Sequence, residues 1–230
     1  AATPALVTAA LVRCDVHNST LYALAEHCRG LTTVDFSKCP WNINDGLNVL
    51  ARSCPLASVS LADCAWANDD TLRALASCDT LRQLQLSKTR ITKVGLTHLG
   101  ETLPITALDV VGCRTVTSSG YVAKFTSLVC LRATACRAAL ARDGCSLASS
   151  VMWHCPAIAI LHVENEMPIE ASFIKTLLTR RSGLTTLAID TCDPCTHEIG
   201  PPGAPTFALT HFTSHHISNA TLVAVATWCP

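Results

Sequence analysis

Charge and aromatic side chains are scarce in this sequence. Only 15% of the 230 residues are charged and 5% are aromatic, and 17 basic residues balance 17 acidic ones, so the formal net charge is zero. Proteins that bind nucleic acid or an anionic membrane through electrostatics normally carry a basic excess or a basic patch. We therefore expect neither nucleic acid nor a membrane among the partners.

Membrane-spanning segments and catalytic motifs are also missing. No stretch reaches the roughly 18 apolar residues that a bilayer span requires, and the nearest approach, 148–163, is interrupted by His154 and Pro156. The sequence has no phosphate-binding Gly-Lys-Ser/Thr loop, no G-x-S-x-G elbow and no H-E-x-x-H helix. We therefore predict that the protein is not an enzyme and that it binds no cofactor.

The sequence does contain a repeated unit, which is clearest in residues 31–55, LTTVDFSKCPWNINDGLNVLARSCP. Its fourth and sixth residues are apolar and alternate with polar ones, which indicates a short half-buried strand. Ile43, Leu47 and Leu50 then have the spacing of one helix face. A strand and a helix of this size cannot bury their apolar faces alone, whereas stacked copies can.

Copies of this unit follow one another along the whole chain, at steps of 25, 25, 25, 24, 23, 30 and 26 residues. Their first residues are Leu6, Leu31, Leu56, Leu81, Ile105, Leu128, Ile158 and Leu184. The ninth position is cysteine in six of the eight units, namely Cys14, Cys39, Cys64, Cys113, Cys136 and Cys192. A regular recurrence of this kind predicts a solenoid.

The unit resembles the leucine-rich repeat family, and within it the cysteine-containing subtype, in which LxxLxLxxC precedes an I/V-x-D-x-GL turn and a helix ending in CP. The segments LASVSLADC from Leu56 and ITKVGLTHLGETLP up to Pro104 carry the match. The resemblance implies an α/β horseshoe-shaped solenoid with a parallel concave sheet and convex helices. It implies a single domain over 1–230 of about eight to nine units. The residues TCDPCTHEIGPPGAP from Thr191 onward predict an irregular loop rich in proline and glycine at 191–206. Because the chain lacks an initiator methionine and ends on a unit boundary, we expect it to be a fragment of a longer protein.

Eleven of the fourteen cysteines follow the repeat. Six occupy the ninth position, and five lie at helix ends: Cys28, Cys54, Cys78, Cys155 and Cys229. Thiols locked to two positions of the unit are expected to pack as small buried groups that donate weak hydrogen bonds to turn carbonyls. Such thiols indicate a reducing compartment, which favours the cytoplasm, with the nucleus or a ciliary interior as alternatives.

One group of thiols and imidazoles has the spacing of a zinc site. It consists of Cys192, Cys195, His211 and His215, and a metal there could hold together a loop that has lost its helix. Cys192 is also the ninth residue of its unit, and this register favours packing. We therefore predict no metal and keep zinc as the alternative.

The outward positions of the strands are mostly short and uncharged, but their chemical variety rises towards the C-terminal units. We predict partner contacts there, at Arg132, Thr134, His162, Glu164 and Asp190. The alternative is a solvated sheet face with binding elsewhere.

Other large and charged side chains are assigned to structural roles. Trp41 and Trp66 occupy the same slot, two residues past the ninth position, and are expected to pack over the turns. Lys175, Arg180 and Arg181 lie towards the C-terminal end of a predicted helix, where cations suit the helix dipole. We interpret them as capping charges rather than as an anion site.

The predicted function is a non-enzymatic scaffold for protein–protein interaction within a multi-protein complex. The family resemblance also implies an alternative, the substrate-recognition arm of an SCF-type ubiquitin ligase. That alternative requires an F-box outside these 230 residues. Cytoplasmic and ciliary scaffolds are further members of the subtype.

Overall fold

The computed structural model describes residues 6–134, 147–164, 171–191, 207–217 and 219–229. The chain forms two compact units, residues 1–117 and 118–230. Unit 1 and unit 2 denote these two parts of the chain.

Unit 1 alternates strands and helices in the predicted register. Its strands are β1 (Thr8–Ala10), β2 (Thr33–Asp35), β3 (Ser58–Ser60), β4 (Gln83–Gln85) and β5 (Ala107–Val110), and its helices are α1 (Asn18–His27), α2 (Asn44–Ser53), α3 (Asp69–Leu75) and α4 (Lys93–Thr102). Consecutive strands pair in parallel, and the fourth residues of the repeats lie opposite one another, from Ala9 to Leu108. The predicted parallel sheet is therefore confirmed.

Unit 2 continues the same alternation. It contains the strands β6 (Cys130–Thr134), β7 (Ile160–Glu164), β8 (Thr186–Thr191) and β9 (His211–His216), the helices α5 (Leu147–His154), α6 (Ala171–Arg180) and α7 (Asn219–Trp228), and a 3₁₀ helix over Ser119–Lys124. Its strands also pair in parallel. The predicted loop 191–206 lies outside the described residues, except for Thr191, which ends β8.

The repeat predicts a full helix around Tyr121 and Phe125, and here the structure differs. The 3₁₀ helix replaces it, although Tyr121 and Phe125 remain buried at 2% and 1% exposure. The unit that starts at Ile105 is two residues shorter than the 25-residue repeat. A 3₁₀ turn closes a short connection with fewer residues than an α-helix needs for a stable run of hydrogen bonds.

The core is built from the apolar positions of the repeat. In the unit that begins at Leu31, the first, fourth and sixth residues are at most 1% exposed. The inner helix residues Leu47 and Leu50 close the same layer. Side chains alternate between the two faces of a strand and recur about every 3.6 residues around a helix. The apolar residues of each strand and helix therefore lie in one shared core.

From the sequence alone, Leu209 and Phe212 indicate different registers for the last repeat. In the structure both fit one register, because Phe212 lies opposite Leu187 and the amide of Thr210 donates to the carbonyl of Thr185. Leu209 is then the first residue of the repeat and Phe212 the fourth. The step from Leu184 is 25 residues, as in the N-terminal repeats.

A left-handed residue precedes the ninth position in each repeat of unit 1. Arg13, Lys38, Asp63 and Lys88 have φ between 57° and 62°, and Gly112 has φ 72°. Each of the four non-glycine residues donates its amide to a carbonyl of the next repeat, as Lys38 does to Ala62 at 2.8 Å. The inter-strand ladder therefore extends past the strand end through a conformation that L-residues rarely adopt.

The two tryptophans of unit 1 differ in burial. Trp66 is half-buried, and its indole N–H donates to the carbonyl of Cys39 at 2.8 Å, in the preceding repeat. Trp41 is 52% exposed, and its indole N–H reaches Asp15 Oδ1 at 3.3 Å. Both side chains bridge to the preceding repeat, but only that of Trp66 is substantially covered.

None of the helices in the described part of the chain is both long enough and apolar enough to cross a membrane.

Candidate partner-binding surface

The exposed face of the sheet in unit 2 carries four of the five predicted contact residues. Arg132 and Thr134 lie on β6, and His162 and Glu164 lie on β7. The intervening residues Leu131, Ala133, Leu161 and Val163 are all fully buried. Because side chains alternate along a strand, the four predicted residues lie on the opposite, outward face.

The register of β6 and β7 arranges these four residues in two rows. Arg132 lies opposite His162, and Thr134 lies opposite Glu164. Within β7, His162 Nε2 and Glu164 Oε1 are 4.0 Å apart, and their side chains are 30% and 33% exposed. A cation, an imidazole, a hydroxyl and a carboxylate are thus gathered on two adjacent strands.

The fifth predicted residue, Asp190, lies in β8 directly after Ile189, which is opposite Val163. Its backbone continues the row of Thr134 and Glu164, while its side chain lies outside the described part of the structure. The arrangement therefore places all five residues on three consecutive strands.

Small residues continue the other row. Ala188 lies opposite His162, and Thr213 lies opposite Ala188. Short side chains beside Arg132 and His162 leave room for another polypeptide to approach the sheet closely. We define the sheet patch as Arg132, Thr134, His162, Glu164 and Asp190.

Burial keeps the thiols in the core of the repeats in their protonated form. Burial raises the pKa of both Cys64 and Cys155 to about 11. The thiol of Cys64 donates to the carbonyl of Phe36 at 3.1 Å. Reactive or metal-bound cysteines need the thiolate, which a buried apolar environment disfavours.

No family model matches the sequence, and no curated protein matches it. Among solved structures, the fold is similar to the crystal structure of the yeast Rad7 and Elc1 complex, with a TM-score of 0.58 at 16% identity over 90% of this chain and 55% of that chain. It is also similar to the TLR13–ssRNA13 complex, with a TM-score of 0.50 at 16% identity over 87% of this chain and 31% of that chain. The present chain thus matches about half of the first protein and about a third of the second.

The fold is a leucine-rich repeat solenoid. At 16% identity, the comparisons show this fold and nothing of the partners. What the solenoid provides is a parallel sheet with one face buried under the helices and the other open, and the sheet patch lies on that open face.

The open sheet face of the leucine-rich repeats in unit 1 is different in character. Ser37 Oγ lies 2.5 Å from Asp35 Oδ1 and 2.7 Å from Ser60 Oγ, and Ser60 Oγ lies 3.1 Å from Gln85 Oε1. These side chains therefore satisfy one another along three strands. The open face of unit 1 thus presents mostly short hydroxyl and amide groups here, whereas that of unit 2 presents Arg132, His162 and Glu164.

The sequence prediction omitted one apolar residue of the same face. Ile160 has the same strand parity as His162, lies opposite Cys130 and is 38% exposed. An exposed isoleucine beside charged groups adds apolar contact area to the sheet patch. Its parity marked it as outward, and an apolar residue at this third position of the repeat, which is Thr33, Ser58 and Gln83 in consecutive repeats of unit 1, was the signal that could have found it.

The alternative zinc site gains no support from the backbone. Cys192 and Cys195 lie outside the described residues, and His211 and His215 both lie in β9. Residues four apart in a strand are separated by about 13 Å, whereas a helix brings them within one turn. His211 Nδ1 instead lies 2.9 Å from Thr210 Oγ1. In the part of the chain that is described, no three His, Cys, Asp or Glu side chains cluster as metal ligands would.

Proposed function

We propose that this leucine-rich repeat chain is a non-enzymatic scaffold that holds a protein partner on the sheet patch of unit 2, as a subunit of a larger complex. The observation that carries the proposal is the pair of rows formed by Arg132 with His162 and by Thr134 with Glu164. They give the open sheet face of unit 2 a concentration of different polar groups, next to Ala188, which leaves space above the sheet.

The chemistry of the sheet patch is suited to selective recognition. Arginine is enriched among the residues that dominate binding energy at interfaces. Groups of opposite charge on strands about 4.8 Å apart require a partner with the reverse pattern at the same spacing. Ile160 supplies an apolar contact at the edge of this pattern.

We further propose that the protein belongs to the cysteine-containing subtype and works in a reducing compartment, the cytoplasm in the first place, with the nucleus or a cilium as alternatives. Support comes from Cys39, Cys64 and Cys113, whose thiols donate to carbonyls of the preceding repeat. No disulfide joins the cysteines that the structure describes. Thiols used in this way would be lost to the repeat if they were oxidised.

The alternative function is the recognition arm of an SCF-type ubiquitin ligase. The resemblance to the cysteine-containing subtype favours it, and so does the similarity to Rad7, whose structure is that of a complex with a second protein, Elc1. The same sheet patch would then hold the substrate, while an F-box elsewhere in the full-length protein would hold the adaptor. Co-purification of a ligase adaptor with the full-length protein would favour this alternative.

The experiment is affinity capture from cells with quantitative mass spectrometry, comparing wild type with the double variant Arg132→Glu/Glu164→Arg. The double variant reverses the charges of the sheet patch and leaves the net charge unchanged. The amount of partner recovered with the double variant should be lower than with wild type by about tenfold or more, since disrupted charge-assisted contacts cost about 1.5–3 kcal/mol each.

The matched control is Asp70→Arg/Arg73→Glu, which reverses an exposed ion pair on α3 in the same way. It should retain the partner. Equal recovery of every partner by wild type and the sheet-patch variant would show that the partner binds elsewhere.

A further inference from the structure

The helices of unit 2 carry positive charge without any negative charge. The sequences of α5, α6 and α7 contain no aspartate or glutamate, but α6 contains Lys175 and Arg180 and is followed by Arg181. Every helix of unit 1 contains at least one acidic residue: Glu26, Asp45, Asp69, Asp70 and Glu101. The overall neutrality of the chain thus conceals a local excess of cations on this helical surface.

The most exposed tryptophan in the described part of the chain lies on the same surface. Trp153, on α5, is 57% exposed, and the guanidinium carbon of Arg180 lies 4.1 Å from the centre of its ring. At this distance the cation lies within the range of a cation–π interaction, which restrains both side chains. A guanidinium held in this way can bind a carboxylate with two parallel hydrogen bonds.

The neighbouring Arg181 has a structural role that steadies this stack. Its Nη2 donates to the carbonyl of Met152 near the C-terminal end of α5. Its Nη1 also donates to the carbonyl of Arg180, the last residue of α6, at 3.3 Å, so Arg181 contacts carbonyls at the ends of both helices. Within the described residues, Arg180 makes no such bond to a carbonyl and forms no ion pair with a carboxylate.

Tryptophan and arginine are the side chains most enriched at the energetic centres of protein interfaces. Here they are already stacked on each other before any partner arrives. Because the two side chains already restrain each other, binding of a partner costs less side-chain entropy than it would if both were independently mobile. The remaining need of the site is a negative charge, which unit 2 does not supply from these helices.

We infer that Trp153 and Arg180 form a docking point for an acidic segment of a partner protein. The guanidinium binds an aspartate or glutamate carboxylate, and the exposed indole packs against an adjacent apolar side chain of the same segment. This helix docking point is distinct from the sheet patch, so one chain can hold two partners or two parts of one partner.

A nucleic acid is a poorer match for this surface. Binding to a phosphate backbone relies on many distributed cations, whereas this surface offers three, of which Arg181 is half-buried and bonded to a carbonyl. One guanidinium group beside an exposed indole ring instead matches one carboxylate and an apolar side chain next to it in the partner. The observations therefore favour an acidic peptide.

The test uses the 230-residue chain and a fluorescein-labelled peptide of aspartate, glutamate and leucine, followed by fluorescence anisotropy. Arg180→Glu and Trp153→Ala should each weaken binding by about tenfold or more, the cost of losing a charge-assisted contact or an aromatic anchor. Arg180→Lys should weaken binding by a smaller factor, because lysine keeps the positive charge but cannot donate two parallel hydrogen bonds to one carboxylate.

The matched control is Arg73→Glu, the same charge change on an exposed arginine of α3. It should alter binding by less than about twofold, as expected for a surface charge outside the contact. Circular dichroism and urea midpoints establish that each variant is folded. The sheet-patch variant Arg132→Glu/Glu164→Arg should bind the peptide like wild type.

Three outcomes would overturn the inference. The first is no binding of the peptide by wild type, and the second is equal weakening by Arg73→Glu and Arg180→Glu, which would reveal attraction by net charge alone. The third is that a single-stranded RNA with the same charge as the peptide binds more tightly than the peptide does, and that Arg180→Glu abolishes this RNA binding. That result would assign the surface to nucleic acid.

Discussion

At the scale of the residue, the thiols at the strand ends explain why cysteine recurs where any small apolar side chain would fit. Cys39, Cys64 and Cys113 donate hydrogen bonds to carbonyls one repeat earlier, at 2.9 to 3.1 Å. Each of these carbonyls also accepts a backbone N–H of its own turn, as that of Phe36 does from Cys39 at 3.1 Å, so the thiol adds a second, weak hydrogen bond from the next repeat. Each such cysteine thus fastens its repeat to the previous one.

Two of the eight ninth positions, Thr89 and Glu166, are not cysteine, and the structure describes Thr89. Thr89 replaces cysteine in its repeat, and its hydroxyl donates to the carbonyl of Leu86 at 2.7 Å, within the same repeat. The thiol of Cys113, one repeat later, donates to that same carbonyl at 2.9 Å. The hydroxyl of Thr89 therefore donates to a carbonyl of its own repeat, whereas the thiol of Cys113 donates to a carbonyl of the preceding repeat.

We predict a sharp difference in reactivity among these thiols. Cys14 is exposed, whereas burial raises the pKa of Cys64 to about 11. At pH 8 a thiol of that pKa is about one part in a thousand thiolate, which is the reactive form. Iodoacetamide labelling mapped by mass spectrometry should therefore modify Cys14 readily and leave Cys64 unmodified.

The pH dependence follows from the direction of the shift. A raised pKa keeps the Cys64 thiol protonated above its ordinary value of 9.0, so labelling of Cys64 should rise only as pH approaches about 11. Labelling in urea is the control, because unfolding removes the burial that raises the pKa. Rapid labelling of Cys64 at pH 8 in the folded protein would contradict the prediction.

At the scale of the element, adjacent helices approach so closely at their N-terminal ends that one repeat position excludes a side chain. Gly46 lies in the first turn of α2, where an added Cβ would lie 2.7 Å from Leu21 Cβ and 3.1 Å from the backbone of Asn18. The amide of Gly46 also donates to Asn18 Oδ1 at 2.9 Å. The helix spacing thus depends on the absence of a Cβ at this point.

We predict that Gly46→Ala destabilises the protein, although alanine is the better helix former by about 1 kcal/mol. Overpacking against Leu21 and the α1 backbone should lower the free energy of unfolding by about 1–3 kcal/mol. Urea denaturation followed by circular dichroism measures the difference.

Gly120→Ala is the matched control for this substitution. A Cβ at Gly120 would have Ser118 Oγ as its nearest neighbour, at 3.6 Å, which is ordinary van der Waals contact. Its stability should stay within about 0.5 kcal/mol of wild type, as for substitutions without a steric conflict. A neutral or stabilising Gly46→Ala would show that α1 and α2 can separate without cost.

At the scale of the whole molecule, the repeat made much of the fold predictable. Leucines such as Leu31, Leu56 and Leu81 set the register, because every strand needs the same apolar residue at the same point to share one core. The outward parity of Arg132 and His162 followed from the same register. The sheet patch was therefore predictable as a set of positions.

Other features depend on contacts that no local pattern encodes. Lys38 and Lys88 adopt left-handed conformations without the glycine or asparagine that usually indicates them. The stacking of Arg180 on Trp153 joins residues 27 apart on two helices, and the rotation of each helix about its axis decides whether they meet. The repeat fixes which helices are neighbours, but not which exposed side chains touch.

The outer edge of unit 1 carries the last prediction. Strand β1 pairs with β2, and within the described ranges no strand covers its other edge. The adjoining residues Leu6, Val7 and Val12 are 46%, 52% and 42% exposed. An open strand edge flanked by apolar side chains is a template for pairing with another chain.

We predict that the 230-residue chain associates with itself through this edge as its concentration rises, and that Val7→Lys shifts it towards monomer, since a lysine on an edge strand opposes pairing. Sedimentation velocity over a dilution series measures the change. Val49→Lys is the matched control, because Val49 is 40% exposed on α2, away from the strand edge, and the same substitution there should leave the association unchanged. Wild-type chain that stays monomeric throughout the series would show that the β1 edge is protected in some other way.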